Sequence, residues 1–332
     1  MARVAFDVDG LFALKEPPKV ERPVYVTGLA RSGTTLLLKA LHSSGTFVSL
    51  TYRHMPLITA PLIWDRLTRG HRQAGEARER AHGDRMAVDY DSPEAFEDVF
   101  WLSVGEADYI RPHGLLPHQP DPAAVADYRR YVARVLAASG TPEDAVRPKK
   151  TESIKSQPRR YLAKGNNKLL RIAALKRAFP DAVIVTPFRN PRDQARSLLA
   201  QQRRFLRIHA QNPFSLQYMD WLAHHEFGAH ARPFLFDPAL RVDDMAVLNS
   251  EAYWLRYWAS VYGHLLSNHR QDVVWIDYDR FCAAPQVSLA RLAVVCDLEA
   301  NALLPFADQV LPPIHHSDSE TSAKVSILAE VM

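Results

Sequence analysis

Two rhythms of apolar positions run along this chain. Residues 23–28, PVYVTG, form an apolar β-branched run that ends in glycine and predict a buried strand. After Gly33 the chain reads TTLLLKALHSS, without internal glycine or proline, and Gly45 follows; this predicts a helix with a glycine stop. FVSL (47–50) predicts a second, short strand. Between about 52 and 160 prolines, histidines and charges recur, as in DRLTRGHRQAGEARERAHGD, around helical stretches near 56–69, 93–102 and 121–139. The alternation then resumes with a strand-like YLAKG (161–165), an amphipathic helix LLRIAALKRAFP (169–180) and the apolar strand DAVIVTPF (181–188). A helix opened by proline follows, PRDQARSLLAQQRRFL (191–206). Residues 214–268 read as helical and aromatic-rich, DVVWIDY (272–278) as a last strand, and a helix runs on to about 296.

Strands alternating with helices in this order imply an α/β fold: a three-layer structure in which helices flank a parallel sheet, joined by right-handed crossovers. The 52–160 segment is then a largely helical insertion in a single domain covering 1–332, and 1–21 is an N-terminal arm. Ligands in such sheets bind beyond the carboxyl ends of the strands. The loops after 28 and after 188 are therefore where chemistry is expected.

Composition narrows the partners. The chain is 47% hydrophobic and 23% charged, which suits an ordinary globular core, and its net charge of +4 suits a small anionic ligand while being too slight to argue for nucleic acid. Cys282 and Cys296 are fourteen positions apart with no CxxC pair, so two buried free thiols in a reducing compartment are expected. The N-terminal MARVAFDVDGLFALKEPPK interrupts its apolar stretch with acidic residues and does not read as a signal peptide. No run approaches the roughly 20 apolar residues that span a bilayer. A cytoplasmic protein without a membrane anchor is the expectation.

The first strand runs into Gly28-Leu29-Ala30-Arg31-Ser32-Gly33-Thr34-Thr35. Its two glycines have P-loop spacing: a compact turn whose backbone N–H groups converge on an anion at a helix N-terminus. A nucleoside-triphosphate loop of the Walker type would place lysine after the second glycine, to reach the β- and γ-phosphates, and then a magnesium-binding hydroxyl. Here that lysine is Thr34, and Arg31 supplies the positive charge from inside the loop. A planar guanidinium suits a compact anion with no triphosphate chain, because it can grip two oxygens at once.

The second anion site follows the strand DAVIVTPF. Arg189 stands at its carboxyl end, Pro191 opens the next helix, and Ser197 lies about two turns along it. A phosphate held between Arg189 and the Ser197 hydroxyl is feasible if the strand end folds back over the helix.

RSGTT after the first strand and FPDAVIVTPFRNPRDQARS later resemble the 5′-phosphosulfate and 3′-phosphate signatures of the family of sulfotransferases that use 3′-phosphoadenosine 5′-phosphosulfate (PAPS). The bacterial and tyrosylprotein-type branch is the nearer in pattern. The likeness is concentrated at 23–50 and 160–200, with a fainter echo in VVWIDYDRF (273–281). It implies a P-loop NTPase-like fold, PAPS as sulfuryl donor, 3′-phosphoadenosine 5′-phosphate (PAP) as product, and no required metal. By position, Arg31, Ser32, Gly33, Thr34 and Thr35 would bind the 5′ sulfate and phosphate, and Arg189 and Ser197 the 3′-phosphate.

Sulfuryl transfer needs charge neutralised on the leaving phosphate and a base for the acceptor's proton. Lys164, in YLAKGNNK, matches the lysine of tyrosylprotein-type relatives, although those often continue Lys-Asp/Ser-Pro where this chain has Gly165-Asn166-Asn167. For the base, His54 has suitable intrinsic acidity and follows the second strand, Glu97 in SPEAFEDVFW is a second candidate, and His82 with Asp84 a third. The pairs His224–His225 and His315–His316 lack partners at metal-ligand spacing and read as structural or exposed.

The opening VAFDVDGLF imitates the DxDG nucleophile motif of a phosphohydrolase at Asp7 and Asp9, but only about a dozen residues separate it from the first strand, and Leu11 stands where threonine is required. A short β-hairpin or arm is expected there. Two rival functions remain: a kinase or NTPase with a degenerate P-loop, and a non-catalytic relative that binds PAP. The acceptor hydroxyl belongs to a small molecule, glycan, lipid or tyrosyl group. Trp221, Tyr253, Trp254, Tyr257 and Trp258 are expected to line an apolar acceptor pocket, a lid or a core, and Lys324 in the polar tail to touch a phosphate or to fray.

Overall fold

A computed structural model describes residues 2–68, 78–79, 87–88, 92–105, 107–138 and 159–312. Among them the central sheet has five strands: β1 (Val24–Val26), β2 (Phe47–Val48), β3 (Arg160–Lys164), β4 (Val183–Phe188) and β5 (Val274–Asp277), in the order β2-β3-β1-β4-β5. Every pairing is parallel. The α-helices among the described residues are α1 (Ala2–Asp9), α2 (Thr34–His42), α3 (Pro61–Thr68), α4 (Asp98–Ser103), α5 (Pro122–Ala138), α6 (Ile172–Ala178), α7 (Pro191–Gln211), α8 (Pro213–Trp221), α9 (Glu251–Asn268), α10 (Tyr278–Ala283) and α11 (Pro285–Val295). No described helix is long and apolar enough to cross a membrane.

The strands are apolar throughout because both faces are covered, as parallel sheets require. Alternate side chains enter two separate cores. Val24, Val26, Leu162 and Val185 pack with Leu37 and Leu41 of α2, Phe281 of α10 and Leu289 of α11. Tyr25, Tyr161, Ala163 and Ile184 pack on the other face with Tyr128 of α5, Leu175 of α6 and Trp258 of α9. This is the expected three-layer α/β arrangement. In the insertion, α3 and α5 fall within stretches that were predicted helical, and α4 overlaps the second half of the stretch near 93–102.

Three local expectations change. The opening residues form a helix rather than a hairpin or loose arm. Phe6 is buried against the Phe100 ring at 5.8 Å, and the Arg134 guanidinium stacks 4.3 Å over it. Asp9, fully buried, accepts the Ile63 N–H at 2.9 Å near the start of α3, and Asp7 pairs with Arg3 one turn away. Asp9 of the DxDG string thus ties α1 to α3, while Asp7 is engaged within α1 itself. After β3 the chain takes a 3-10 turn (Asn166–Arg171) before α6, because Asn167 donates to the Ala223 carbonyl at 2.9 Å and Asn166 to Glu226 at 2.8 Å. Finally, α8 and α9 are separated by a stretch over 222–250 that holds only two short 3-10 turns, and of the five aromatic residues singled out from sequence Tyr253, Trp254, Tyr257 and Trp258 are buried in the core while Trp221 is exposed.

Under α4 the polar core is ionic. Lys168 donates to Glu97 and Arg171 donates to Asp98 at 2.7 Å, all four side chains being essentially sealed from solvent. Breaking such a buried pair from one side costs about 3–5 kcal/mol, so these pairs rigidify the ground on which β3 ends. Next to them, Arg171 donates to His118 Nδ1 at 3.1 Å. Burial and then the Arg171 charge lower His118 from 6.5 to about 3; burial and then Arg232 lower His225 to about 4. Both rings stay neutral in the fold while the unfolded chain protonates them. The contribution of these two rings to stability is therefore fully present above about pH 6.5 and is lost as the medium is acidified toward 3. His118→Gln, which keeps an acceptor for Arg171, should flatten this acid limb in a series of urea midpoints from pH 4 to 7; an unchanged limb would remove His118 from the explanation.

Candidate active site

The carboxyl edge of the sheet collects the residues that matter. Val26 of β1 lies opposite Lys164 on one side and Val185 on the other. In this register the loop after β1, the end of β3 and the end of β4 leave the sheet together. Thr27 Oγ1 donates to the Gly165 carbonyl at 2.9 Å and Gly165 N–H to Val26 at 3.1 Å, fixing Lys164 beside the start of the loop.

The 28–35 loop has a demanding backbone. Arg31 has φ +68° and Gly33 φ +101°, both in the left-handed region. A non-glycine residue held there costs roughly 1–3 kcal/mol and is retained only where surrounding structure insists on it. The first-turn amides of α2 open into this loop, the arrangement that receives anions at a helix N-terminus. At Gly33 the requirement is double, since a Cβ there would come within 2.3 Å of the Tyr278 ring.

The second signature closes on the first. Arg31 Nε donates to the Ser197 hydroxyl at 3.1 Å across 166 positions of sequence, and Arg189 Nη1 reaches the Arg31 carbonyl at 3.5 Å. The Arg189 guanidinium stacks 4.9 Å over the ring of Tyr278, whose phenol burial pushes up to about 12, so the ring stays neutral. Asp279 holds the same corner: it accepts the Asn190 N–H at 2.8 Å and lies 3.8 Å from Arg189 Nε. Gln194 finishes the clamp by donating to the Ala30 carbonyl at 2.9 Å while accepting from the Trp258 indole at 3.0 Å. Arg31, Ser32, Gly33, Thr34, Thr35, Arg189 and Ser197 thus form one contiguous cluster with two guanidinium groups.

Lys164 is nearly buried, and its ammonium lies 3.7 Å from Glu94 Oε1. Glu94 is 8% exposed, hangs from the Leu50 carbonyl just past β2 by its N–H, and accepts the Tyr52 phenol at 3.2 Å. The other candidates for a base lie differently. Glu97, only three residues on, is 1% exposed and engaged by Lys168 and by the Tyr161 phenol at 2.7 Å. His54 caps its own turn: Nδ1 accepts the Thr51 N–H at 3.0 Å, which leaves the neutral ring's proton on the other nitrogen. His82, Asp84, His315, His316 and Lys324 lie outside the described residues.

Glu94, Tyr278, Asp279 and Gln194 were not singled out from sequence. The echo VVWIDYDRF carried the signal for Tyr278 and Asp279, which follow a strand's carboxyl end. Glu94 shares a motif with Glu97, and only the tertiary turn distinguishes them.

Residues 23–302 match the sulfotransferase family, and the chain belongs to it. Sulfuryl transfer is therefore its class of reaction. Among solved structures, it is similar to the sulfotransferase STF1 of Mycobacterium tuberculosis, at 14% identity and a TM-score of 0.47, covering 99% of this chain and 80% of that one. A second is the sulfotransferase STF9 of Mycobacterium avium, at 15% identity and 0.48, covering 95% and 76%. A third, from Alicyclobacillus acidocaldarius, has 16% identity and 0.37, covering 94% and 90%. A search of curated protein sequences found no match.

Gly33 and Gly45 (φ +72°) both occupy left-handed backbone, but nothing lies within 4 Å of a Cβ at Gly45. Gly33→Ala should therefore lower stability by about 1–3 kcal/mol, visibly more than Gly45→Ala, in paired urea denaturations. Equal losses would mean that Tyr278 does not constrain the loop.

Proposed function

We propose that the protein transfers the sulfuryl group of PAPS to a hydroxyl acceptor and releases PAP. The observation that carries this is the junction of the two signatures, Arg31 to Ser197 and Arg189 to the Arg31 carbonyl, one strand away from the Lys164–Glu94 pair. Two arginines and the α2 amides suit a donor with anionic groups at both its 5′ and 3′ positions. The loop has no lysine for a triphosphate chain, which disfavours a kinase.

The chemistry divides between two side chains. The acceptor oxygen forms a bond to sulfur as the bond from sulfur to the bridging phosphate oxygen breaks. Lys164 supplies positive charge to that leaving oxygen, where negative charge develops in the transition state. Glu94 takes the acceptor's proton, its carboxylate oriented by the Tyr52 phenol and by the Ala95 N–H at 2.9 Å. Tyr278 and Asp279 act through Arg189 and are positioning residues. Glu97 and His54, candidates for the base by sequence, serve the core and the turn in this assignment.

Calorimetry should show PAP bound in preference to magnesium–ATP, with Arg189→Ala weakening it at least about tenfold, the loss of one charge-assisted contact. Lys164→Ala should keep PAP affinity and lower kcat about a hundredfold or more. Glu94→Gln should lower kcat by about 10²–10⁴, whereas Glu97→Gln should lower stability and spare turnover per folded molecule. Magnesium–ATP binding in place of PAP would sink the proposal, and full activity in Glu94→Gln would sink the assignment of the base.

A further inference from the structure

Where β1 and β4 part to form the two anion loops, the sheet stops holding them together. Their ladder runs in register from Val24–Val183 to Val26–Val185 and ends with the Thr27 N–H donating to the Val185 carbonyl at 3.0 Å. The next donor on β4 would be residue 187, a proline, which has no N–H. The Pro187 carbonyl finds its partner in another layer: the Tyr262 hydroxyl of α9 donates to it at 3.0 Å. Leu29, whose N–H would meet that carbonyl if the ladder continued, interacts with the same phenol, as do Ser32 and Gln194. A side chain from α9 therefore stands in the place of the missing rung. Burial pushes the phenol up from its ordinary value, so it stays protonated and able to donate.

One turn earlier on α9, Trp258 secures the other loop. Its indole donates to Gln194 Oε1 at 3.0 Å, and Gln194 in turn donates to the Ala30 carbonyl at 2.9 Å, next to the left-handed backbone of Arg31. The Trp258 and Tyr262 rings lie 4.7 Å apart. Trp275 of β5 stands 6.5 Å from the Tyr262 ring and 6.3 Å from that of Phe188, the residue before Arg189. At the same corner Gly28 permits a close approach, since a Cβ there would lie 3.1 Å from the Pro187 carbonyl. Trp258 and Tyr262 are both buried, and their polar atoms are spent on the loops themselves.

We propose that Tyr262, supported by Trp258, is a positioning residue that fixes the separation between the 28–35 loop and Arg189, and so matches the two loops to a nucleotide phosphorylated at both its 5′ and 3′ positions. The inference rests on the PAPS-dependent transfer proposed above. In such a nucleotide the ribose sets the distance between the phosphates, so the ligand gains from both loops at once only when their spacing is held in advance. A monophosphate loads one loop and gains nothing from that spacing.

Titrations of PAP, 5′-AMP and 3′-AMP into wild type and Tyr262→Phe test this, because the variant keeps the ring and removes only the hydroxyl. Leaving the buried Pro187 carbonyl unpaired should raise the PAP Kd about fivefold or more, while the Kd of each monophosphate changes by less than about twofold. A lesion confined to folding would weaken all three alike. Trp258→Phe, which removes the indole donor to Gln194, should give the same pattern and carries the test should Tyr262→Phe not fold. Equal weakening of the three nucleotides, or an unaltered PAP Kd in the folded variant, would overturn the inference, while PAP binding by the wild type leaves the transfer itself standing. Absence of PAP binding to the wild type would overturn both.

Discussion

The parallel pairing of β1 is the constraint on which everything else depends. Three residues, Val24, Tyr25 and Val26, all fully buried, hydrogen-bond to β3 on one side and to β4 on the other. Because the three strands share a direction and a register, their carboxyl ends emerge together, and segments far apart in sequence meet at one edge. The lysine of one, the glycine turn of the second and the arginine of the third need no further device to become neighbours. A strand displaced by a single residue would turn Lys164 to the opposite face of the sheet.

Rigidity at that edge comes from polar groups that have been taken out of water and satisfied there. Glu97 and Asp98 are neutralised by Lys168 and Arg171 beneath β3, while Gln194, Tyr278 and Asp279 fix the two arginines from the far side. Glu94 and Glu97 show how differently like groups can be surrounded. Three positions apart, one carboxylate lies 3.7 Å from the ammonium at the site and the other is locked into the core by a lysine and a phenol. Preorganised charge of this kind does not reorganise during reaction, which is what makes it effective on a developing anion.

Much of this was legible in the chain. The strands and α2 announce themselves through β-branched runs and a glycine stop, and the 28–35 loop through glycine spacing and the absence of a lysine. Arg189 was visible because it ends a strand and precedes a helix-opening proline. What escaped depends on contacts between segments. The helical fold of residues 2–9 is imposed by the fit of Phe6 against Phe100 and Arg134, and by Asp9 reaching α3; locally those residues read as a strand or arm. Which of the two carboxylates, Glu94 or Glu97, faces Lys164 and which faces Lys168 is information that only the tertiary turn after β2 contains. Within the aromatic stretch, composition alone did not separate the buried rings of α9 from the exposed ones of α8.

The most direct measurement is a crystal structure of the protein with PAP. The account predicts the 5′-phosphate seated on the amides of Gly33, Thr34 and Thr35 beside Arg31, and the 3′-phosphate within hydrogen-bonding distance of Arg189 and Ser197, with Lys164 facing the 5′ end. A nucleotide bound with its 3′-phosphate away from Arg189, or with its 5′-phosphate off the 28–35 loop, would contradict it.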